Sequence, residues 1–379
     1  MAEKNKSRKM QYLMFGLCSL IALAVCFAVL VVTVRSVDAN NSSVVEYDTE
    51  SKTEITGETA ALTQYLKNLT AKTQNNRFIK VNSYTDVSVD DSTVKVCDLQ
   101  GNELQKDKNL LIYAKNNMMS AIDGYYGEDY TGVFGTVYQD MPQVDLGVQS
   151  VVESRFSVGQ ADEQGNPVYD NNSGELIDGD YYFINLGIDP TAAEASKLFS
   201  LDEKDEICKS FTDNVAQVCT VEKAELAVKN LVVSAKVNRL TDEIEYMTFE
   251  KVYAVKADVE FVNELEVFGA RKVEFEYKVA ERFEYRYAGI RFSEHSVSVE
   301  PDGEVALSVN AVIENDSEYT VSFASSDTSV ATVDEMGYVK GISQSDKPVT
   351  VTVTLSYLGE VFEDTCTVSV KQAENMITG

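Results

Sequence analysis

Residues 273–287 read VEFEYKVAERFEYRY, and this stretch decides the fold of the middle of the chain. Its odd positions are Val273, Phe275, Tyr277, Val279, Phe283, Tyr285 and Tyr287, broken once by Glu281. Its even positions are Glu274, Glu276, Lys278, Ala280, Arg282, Glu284 and Arg286. Side chains of a strand alternate between faces, so this pattern predicts a long strand with one dry and one wet face. Tyr253, Val255, Ala257, Val259 and Phe261 repeat the signal one strand earlier, and Leu231, Val233, Ala235 and Val237 one before that. Thr241-Asp242-Glu243 supplies a turn between the first two. Three such strands with short connections make an antiparallel meander whose apolar face must be covered.

The cover is sought upstream. Ala61, Leu62, Tyr65, Leu66 and Leu69 recur at spacings of three and four, predicting a helix over Glu58–Lys72. A second helix fits Lys108–Ile122, with Leu111, Ile112, Met118, Met119 and Ile122 on one face. Thr191–Phe199 and Leu201–Val215 read as two more. Phe78–Val89 and Thr93–Leu99 read as a strand pair turned by Asp90-Asp91. Between Gly124 and Asp180 short strands and a long loop around Asp162–Gly179 are expected. The fold class is therefore α+β: an antiparallel β-meander covered by helices, over residues 57–290.

The amino end sets the address. Leu13–Val34 is an uncharged apolar run of 22 residues behind Lys4, Lys6, Arg8 and Lys9. As a helix it would span ~33 Å, enough for a ~30 Å hydrocarbon core. The expected layout is a basic cytoplasmic tail at 1–10, a transmembrane helix at 11–35 and a polar spacer at 36–56, with the rest outside the cell by the positive-inside rule. A cleaved signal peptide ending at Val37-Asp38-Ala39 and a lipid-modified Cys26 are the competing readings. The run is too long for an ordinary signal h-region, and Val25 is a poor residue before a lipidated cysteine, which favours an uncleaved anchor.

From about Phe292 helix formers thin out. Ser296–Glu300, Glu304–Val312, Tyr319–Ala324, Val330–Val333, Tyr338–Ile342, Val349–Tyr357 and Val361–Lys371 read as about seven short strands, the pattern of a small β-sandwich. Ser325-Ser326-Asp327-Thr328-Ser329-Val330-Ala331-Thr332-Val333-Asp334, followed by Gly337-Tyr338-Val339 and Gly341-Ile342, resembles the bacterial Ig-like domain of group 2. The resemblance covers residues 293–371 and leaves a tail at 372–379. Gln344-Ser345-Asp346-Lys347-Pro348 departs from the family's usual strand start and implies a longer loop there. The resemblance implies a surface module of bacterial adhesins, cell-wall proteins and exported enzymes. It speaks to location more than to ligand.

Chemistry is harder to find. The formal charge of −28 disfavours nucleic acid and anionic lipid as partners. His295 is the one histidine, which leaves no two-histidine metal site and little for a Ser-His-Asp triad. Asp170-Asn171-Asn172-Ser173-Gly174-Glu175 lacks the spacing of a calcium loop and reads as a solvated turn. Cys97, Cys208, Cys219 and Cys366 are sparse for a disulfide scaffold, and free buried thiols are favoured over pairing. The chain holds no Trp; Tyr125-Tyr126 and Tyr181-Tyr182 keep a sugar platform open, although strand packing explains them as well. No catalytic residue, metal site or cofactor is expected. The function expected is a membrane-anchored bacterial cell-surface protein, not an enzyme, touching an unknown protein or glycan in adhesion or serving as an envelope component. A carrier of a small ligand or lipid, with a cavity under the sheet, is the alternative, and an exported hydrolase the weaker one.

Overall fold

The computed structural model describes residues 54–104, 116, 118–122, 125–126, 128–162, 165–213, 219–314 and 318–372. The expected basic tail, the membrane run at 11–35, residues 36–53 of the spacer and residues 373–379 of the tail lie outside them. Among the described residues, no helix is long and apolar enough to cross a membrane. The protein is mostly β-sheet with few helices, and it divides into two units, Thr49–Tyr287 and Ala288–Gly379.

The first unit is built on one antiparallel sheet in the order β2-β1-β7-β6-β5-β4-β3. Its strands are β1 (Ile79–Cys97), β2 (Tyr130–Thr131), β3 (Val151–Gly159), β4 (Tyr181–Ile188), β5 (Cys219–Asn238), β6 (Glu243–Phe261) and β7 (Ala270–Tyr287). The expected meander is β5-β6-β7, with strands about 60 Å long at ~3.3 Å per residue. Asp242, between β5 and β6, takes the left-handed backbone (φ 54°) that a tight reversal needs.

Strand β5 keeps its apolar side inward only by changing phase. Register shifts fall between Val221 and Lys223 and between Val228 and Asn230, each with one extra residue on β5. Inward residues are odd at Val221, even at Ala224, Leu226 and Val228, and odd again from Leu231. These are β-bulges, and each flips the side-chain parity.

Strand β1 corrects an expectation. Phe78–Val89 and Thr93–Leu99 are not a hairpin. Both halves pair with β7 in the same direction, with an irregularity between Asp90 and Lys95. Asp90 does turn the chain locally: its carboxylate accepts from the Ser92 amide (2.9 Å) and hydroxyl (2.6 Å). Within the detour the Glu276 amide donates to Thr93 Oγ1 (2.8 Å), and the ladder resumes at Lys95 opposite Glu274.

The helices lie over the dry face. In α1 (Thr59–Thr73) Leu62, Tyr65, Leu66 and Leu69 are buried, as their spacing predicts. Helix α2 (Ala193–Leu198) and helix α3 (Glu203–Asp213) occupy the two segments read as helical. Residues 108–115 and 117 of the expected second helix lie outside the described residues; residues 116 and 118–122 are helical, with Met118 and Ile122 buried. The long connection around Asp162–Gly179 is partly folded on itself through the bridges Ala161–Pro167 and Tyr169–Leu176.

The second unit contains β8 (Gly289–Phe292), β9 (Ser296–Val299), β10 (Glu304–Ala306), β11 (Val309–Val312), β12 (Tyr319–Ser325), β13 (Ala331–Val333), β14 (Tyr338–Gly341), β15 (Val349–Tyr357) and β16 (Glu360–Val370). One sheet runs β12-β15-β16-β9 and another β10-β14-β13, while β11 pairs with β8. The run read as Glu304–Val312 is two strands because its halves pair with different partners, β14 and β8. Val351, Val353, Leu355, Cys366, Val368 and Val370 form the buried face of β15 and β16.

Gly341, in the motif segment, has no room for a side chain: a Cβ there would lie 2.4 Å from the Glu300 carbonyl oxygen. Gly341→Ala is expected to destabilise the second unit by about 1–3 kcal/mol. Calorimetry of the full chain should show the loss in that unit's transition and leave the first unit's in place.

Candidate functional site

Three charged residues occupy inward positions of the first unit. Lys251 lies on β6 between the inward Phe249 and Tyr253, level with Leu231 on β5 and Val279 on β7. Glu281 takes the inward place on β7 between Val279 and Phe283. Glu203 begins α3 and shares its inward stripe with Ile207 and Phe211, four and eight residues on.

These residues meet. Lys251 Nζ donates to Glu203 Oε1 (2.8 Å) and pairs with Glu281 Oε1 (2.7 Å). Lys251 is 1% exposed and Glu203 8%, while the Glu281 side chain keeps 31%. Glu203 Oε1 also accepts from the hydroxyls of Tyr253 (2.7 Å) and Tyr126 (2.8 Å). The Tyr126 ring stands 5.2 Å from the lysine nitrogen. Tyr125 crosses Tyr126 edge to face and donates to Glu206 (3.0 Å). Tyr277, stacked at a tilt on Tyr253, buries its hydroxyl without a hydrogen bond of acceptable geometry.

Burial, then the Glu203 charge, raises the Tyr253 pKa far above the ordinary phenol value. Burial is also the main cause at Tyr126 and Tyr277. Tyr125 is pushed up to about 12 by burial and by its bond to Glu206. All four hydroxyls therefore stay protonated at neutral pH. The cluster is one lysine amine, two glutamate side chains and a set of fixed neutral donors, buried except on the Glu281 side. It holds charge, and only the Glu281 side of it is partly open to solvent.

Residues singled out in the sequence lie elsewhere. His295 Nε2 is 2.9 Å from Asp364 Oδ2 at the surface of the second unit. Asp170 closes a turn by accepting from the amides of Asn172 and Ser173 (2.8 Å each). Cys97, Cys219 and Cys366 are buried free thiols and Cys208 is half-buried. Burial pushes the Cys219 and Cys366 thiols up to about 11, which removes the nucleophilic thiolate. Tyr181-Tyr182 form no platform: Tyr182 is buried against Tyr65, and Tyr181 carries Lys236 over its ring at 3.9 Å. The two best-formed concavities are open surface hollows. One lies at Pro190–Ala193, Leu201, Asp202, Lys204 and Asp205, the other at Glu304, Asp334, Tyr338 and Lys340.

Sequence reasoning missed the cluster although its signal is present. Glu281 was visible as the break in an apolar alternation, Lys251 breaks the next series, and Glu203 breaks a helical stripe. Interior charges of compensating sign, one on each of three neighbouring elements, predict a buried ion cluster.

Removing the cation should be costly because two carboxylates would then face each other in the core. Lys251→Ala is expected to lose about 3–5 kcal/mol in denaturant unfolding. The motif of the second unit makes a pH prediction. Asp327 accepts from the Ser329 hydroxyl (2.6 Å) and amide (2.9 Å), and these bonds, the hydroxyl first, lower its pKa. A lowered folded pKa gives stability that is present above the ordinary carboxylate value and lost as pH falls through the folded one. Asp327→Asn should therefore flatten the decline of the second unit's stability below about pH 4, measured by thermal melts across pH.

Residues 287–356 match the family model of the bacterial Ig-like domain (group 2). No curated protein matches the chain. Among solved structures it is similar to "surface layer protein SbsC, domains 1-6", at 10% identity and a TM-score of 0.18, over 58% of this chain and 35% of that one. The chain spans about a third of that structure, and a likeness so slight carries no argument. The strand pairing of the second unit, its buried valine faces and the family match agree: the carboxy-terminal module of this chain is a bacterial Ig-like domain of group 2.

Proposed function

We propose that this chain is a membrane-anchored bacterial cell-surface protein that acts without catalysis, in adhesion or as a structural part of the envelope. The observation that carries this reading is the Ig-like domain at residues 287–356, a module type of exported bacterial proteins. The uncharged run Leu13–Val34 behind a basic tail supports an anchor with its amino end in the cytoplasm. The net charge of −28 suits a solvated outer surface and repels polyanions.

The interior of the first unit supports a non-catalytic role. A hydrolase with paired acids needs them across an open cleft, ~5–10 Å apart. Here Glu203, buried, and Glu281, partly exposed, share one buried lysine. A carrier needs an enclosed volume of ~300–1,000 Å³. The described layer between helices and sheet is filled by Leu62, Leu66, Ile207, Phe211 and Phe249, all buried.

Protease shaving of intact source cells tests the arrangement. Protease added outside should release fragments of both units, while an epitope tag fused at the amino end stays protected until the cells are lysed. Protection of the Ig-like domain in intact cells would overturn the surface reading.

A further inference from the structure

We propose that Lys251 and Glu203 become joined by an amide bond between the lysine nitrogen and the glutamate side-chain carbonyl carbon, tying α3 covalently to β6. The geometry is that of an assembled acyl-transfer site. A primary amine, 1% exposed, stands 2.8 Å from an oxygen of a carboxyl group that is itself 8% exposed. Reaction needs the partners held close and aligned, and positioning of this kind is worth ~10⁵–10⁸ M in effective concentration. The same oxygen, Glu203 Oε1, receives the hydroxyls of Tyr126 and Tyr253. Two fixed donors on one carboxyl oxygen polarise the carbonyl and hold the negative charge that forms when the carbon is attacked. On the other side of the amine, Glu281 is 2.7 Å away and partly open to solvent, placed to carry protons.

The step balances. One proton passes from the Lys251 ammonium to Glu203, giving a nucleophilic amine and a carboxylic acid. The nitrogen lone pair attacks the Glu203 carbonyl carbon and the C–N bond forms. Glu281 takes a proton from nitrogen and returns it to the departing hydroxyl. The C–O bond breaks and one water leaves. No oxidant, reductant or activating group is consumed. Glu281 is left to accept the remaining amide N–H, and the tyrosine hydroxyls keep their carbonyl acceptor. The contrast lies on the opposite face of the sheet. Lys236 pairs with Glu245 at 2.6 Å, but that carboxylate is 36% exposed, so water keeps it solvated and the pair remains a salt bridge.

Peptide mapping by mass spectrometry of the purified, fully denatured natural chain tests this directly. The expected result is a branched tryptic species joining the peptides of Glu203 and Lys251, lighter than their sum by one water, with no cleavage after Lys251 and normal cleavage after Lys236. Recovery of the two peptides unlinked, with cleavage after Lys251, would overturn the proposal. Glu281→Gln should abolish the link while the variant keeps the natural chain's circular dichroism. A link formed in full without Glu281 would overturn its role in proton transfer.

Discussion

A strand of about twenty residues must keep the same side inward along its whole length, and in this protein that constraint governs the first unit. The partner strands twist, so uninterrupted pairing over about 60 Å accumulates mismatch. Bulges in β5 absorb it. Each extra residue reverses the parity, and the sequence reverses with it, so that Val221, Leu226 and Val233 all face the helices. On β6 the inward residues stay odd from Val259 to Met247 and shift to Ile244 only at the end. The helices can then be short because they seal only one face. The opposite face is a field of cross-strand pairs, Lys256 with Glu274 and Lys278 with Glu250 among them.

The charged cluster depends on that parity. Lys251 is inward because Phe249 and Tyr253 are, and nothing along β6 lets it turn out to water. Its compensation comes from β7 through Glu281 and from α3 through Glu203. An apolar stripe such as Ile207 and Phe211 tolerates sliding along a sheet; a carboxylate that must meet Lys251, Tyr126 and Tyr253 at hydrogen-bond distance does not. The cluster thus selects one seat for α3. Replacing such a group wholesale by apolar side chains often leaves stability unchanged or raises it, so its value lies in placement more than in net energy.

Much of this was legible in residues. The β5-β6-β7 meander followed from strict alternation, α1 from its spacing of leucines, and the second unit from a motif whose parts have physical reasons. Asp327 and Asp334 accept backbone amides across turns, Gly337 has positive φ (83°), and Gly341 lies against the Glu300 carbonyl. What was not legible was long-range. Asp90-Asp91 is a sound local turn signal, and Asp90 does bend the chain, but whether the chain then reverses or rejoins its ladder is decided by β7, nearly two hundred residues away. The candidate site failed for a related reason. Each charge interrupts its own element and looks like an isolated blemish; the meaning appears only when three elements are set side by side.

The distribution of charge bears on how such a sheet stays single. Acidic residues outnumber basic ones 61 to 33, yet the wet face of the sheet is largely paired. The excess falls on turns and connections such as Asp90, Asp98, Asp170 and Asp189, where each caps its own loop. Long sheets are exposed to edge-to-edge pairing with a second copy. Here one edge is β1, covered by β2 only at Asn82 and Ser83 and broken by the irregularity between Asp90 and Lys95. The other, β3, carries a register shift after Val151 and an exposed Glu153–Arg155 pair (2.8 Å). An irregular, charged edge beside like-charged loops makes pairing between copies unfavourable, while the alternating charges inside the sheet cost nothing in cohesion. Acidity at the periphery and neutrality on the face are therefore one arrangement: the first keeps neighbouring copies apart and the second holds the long strands together.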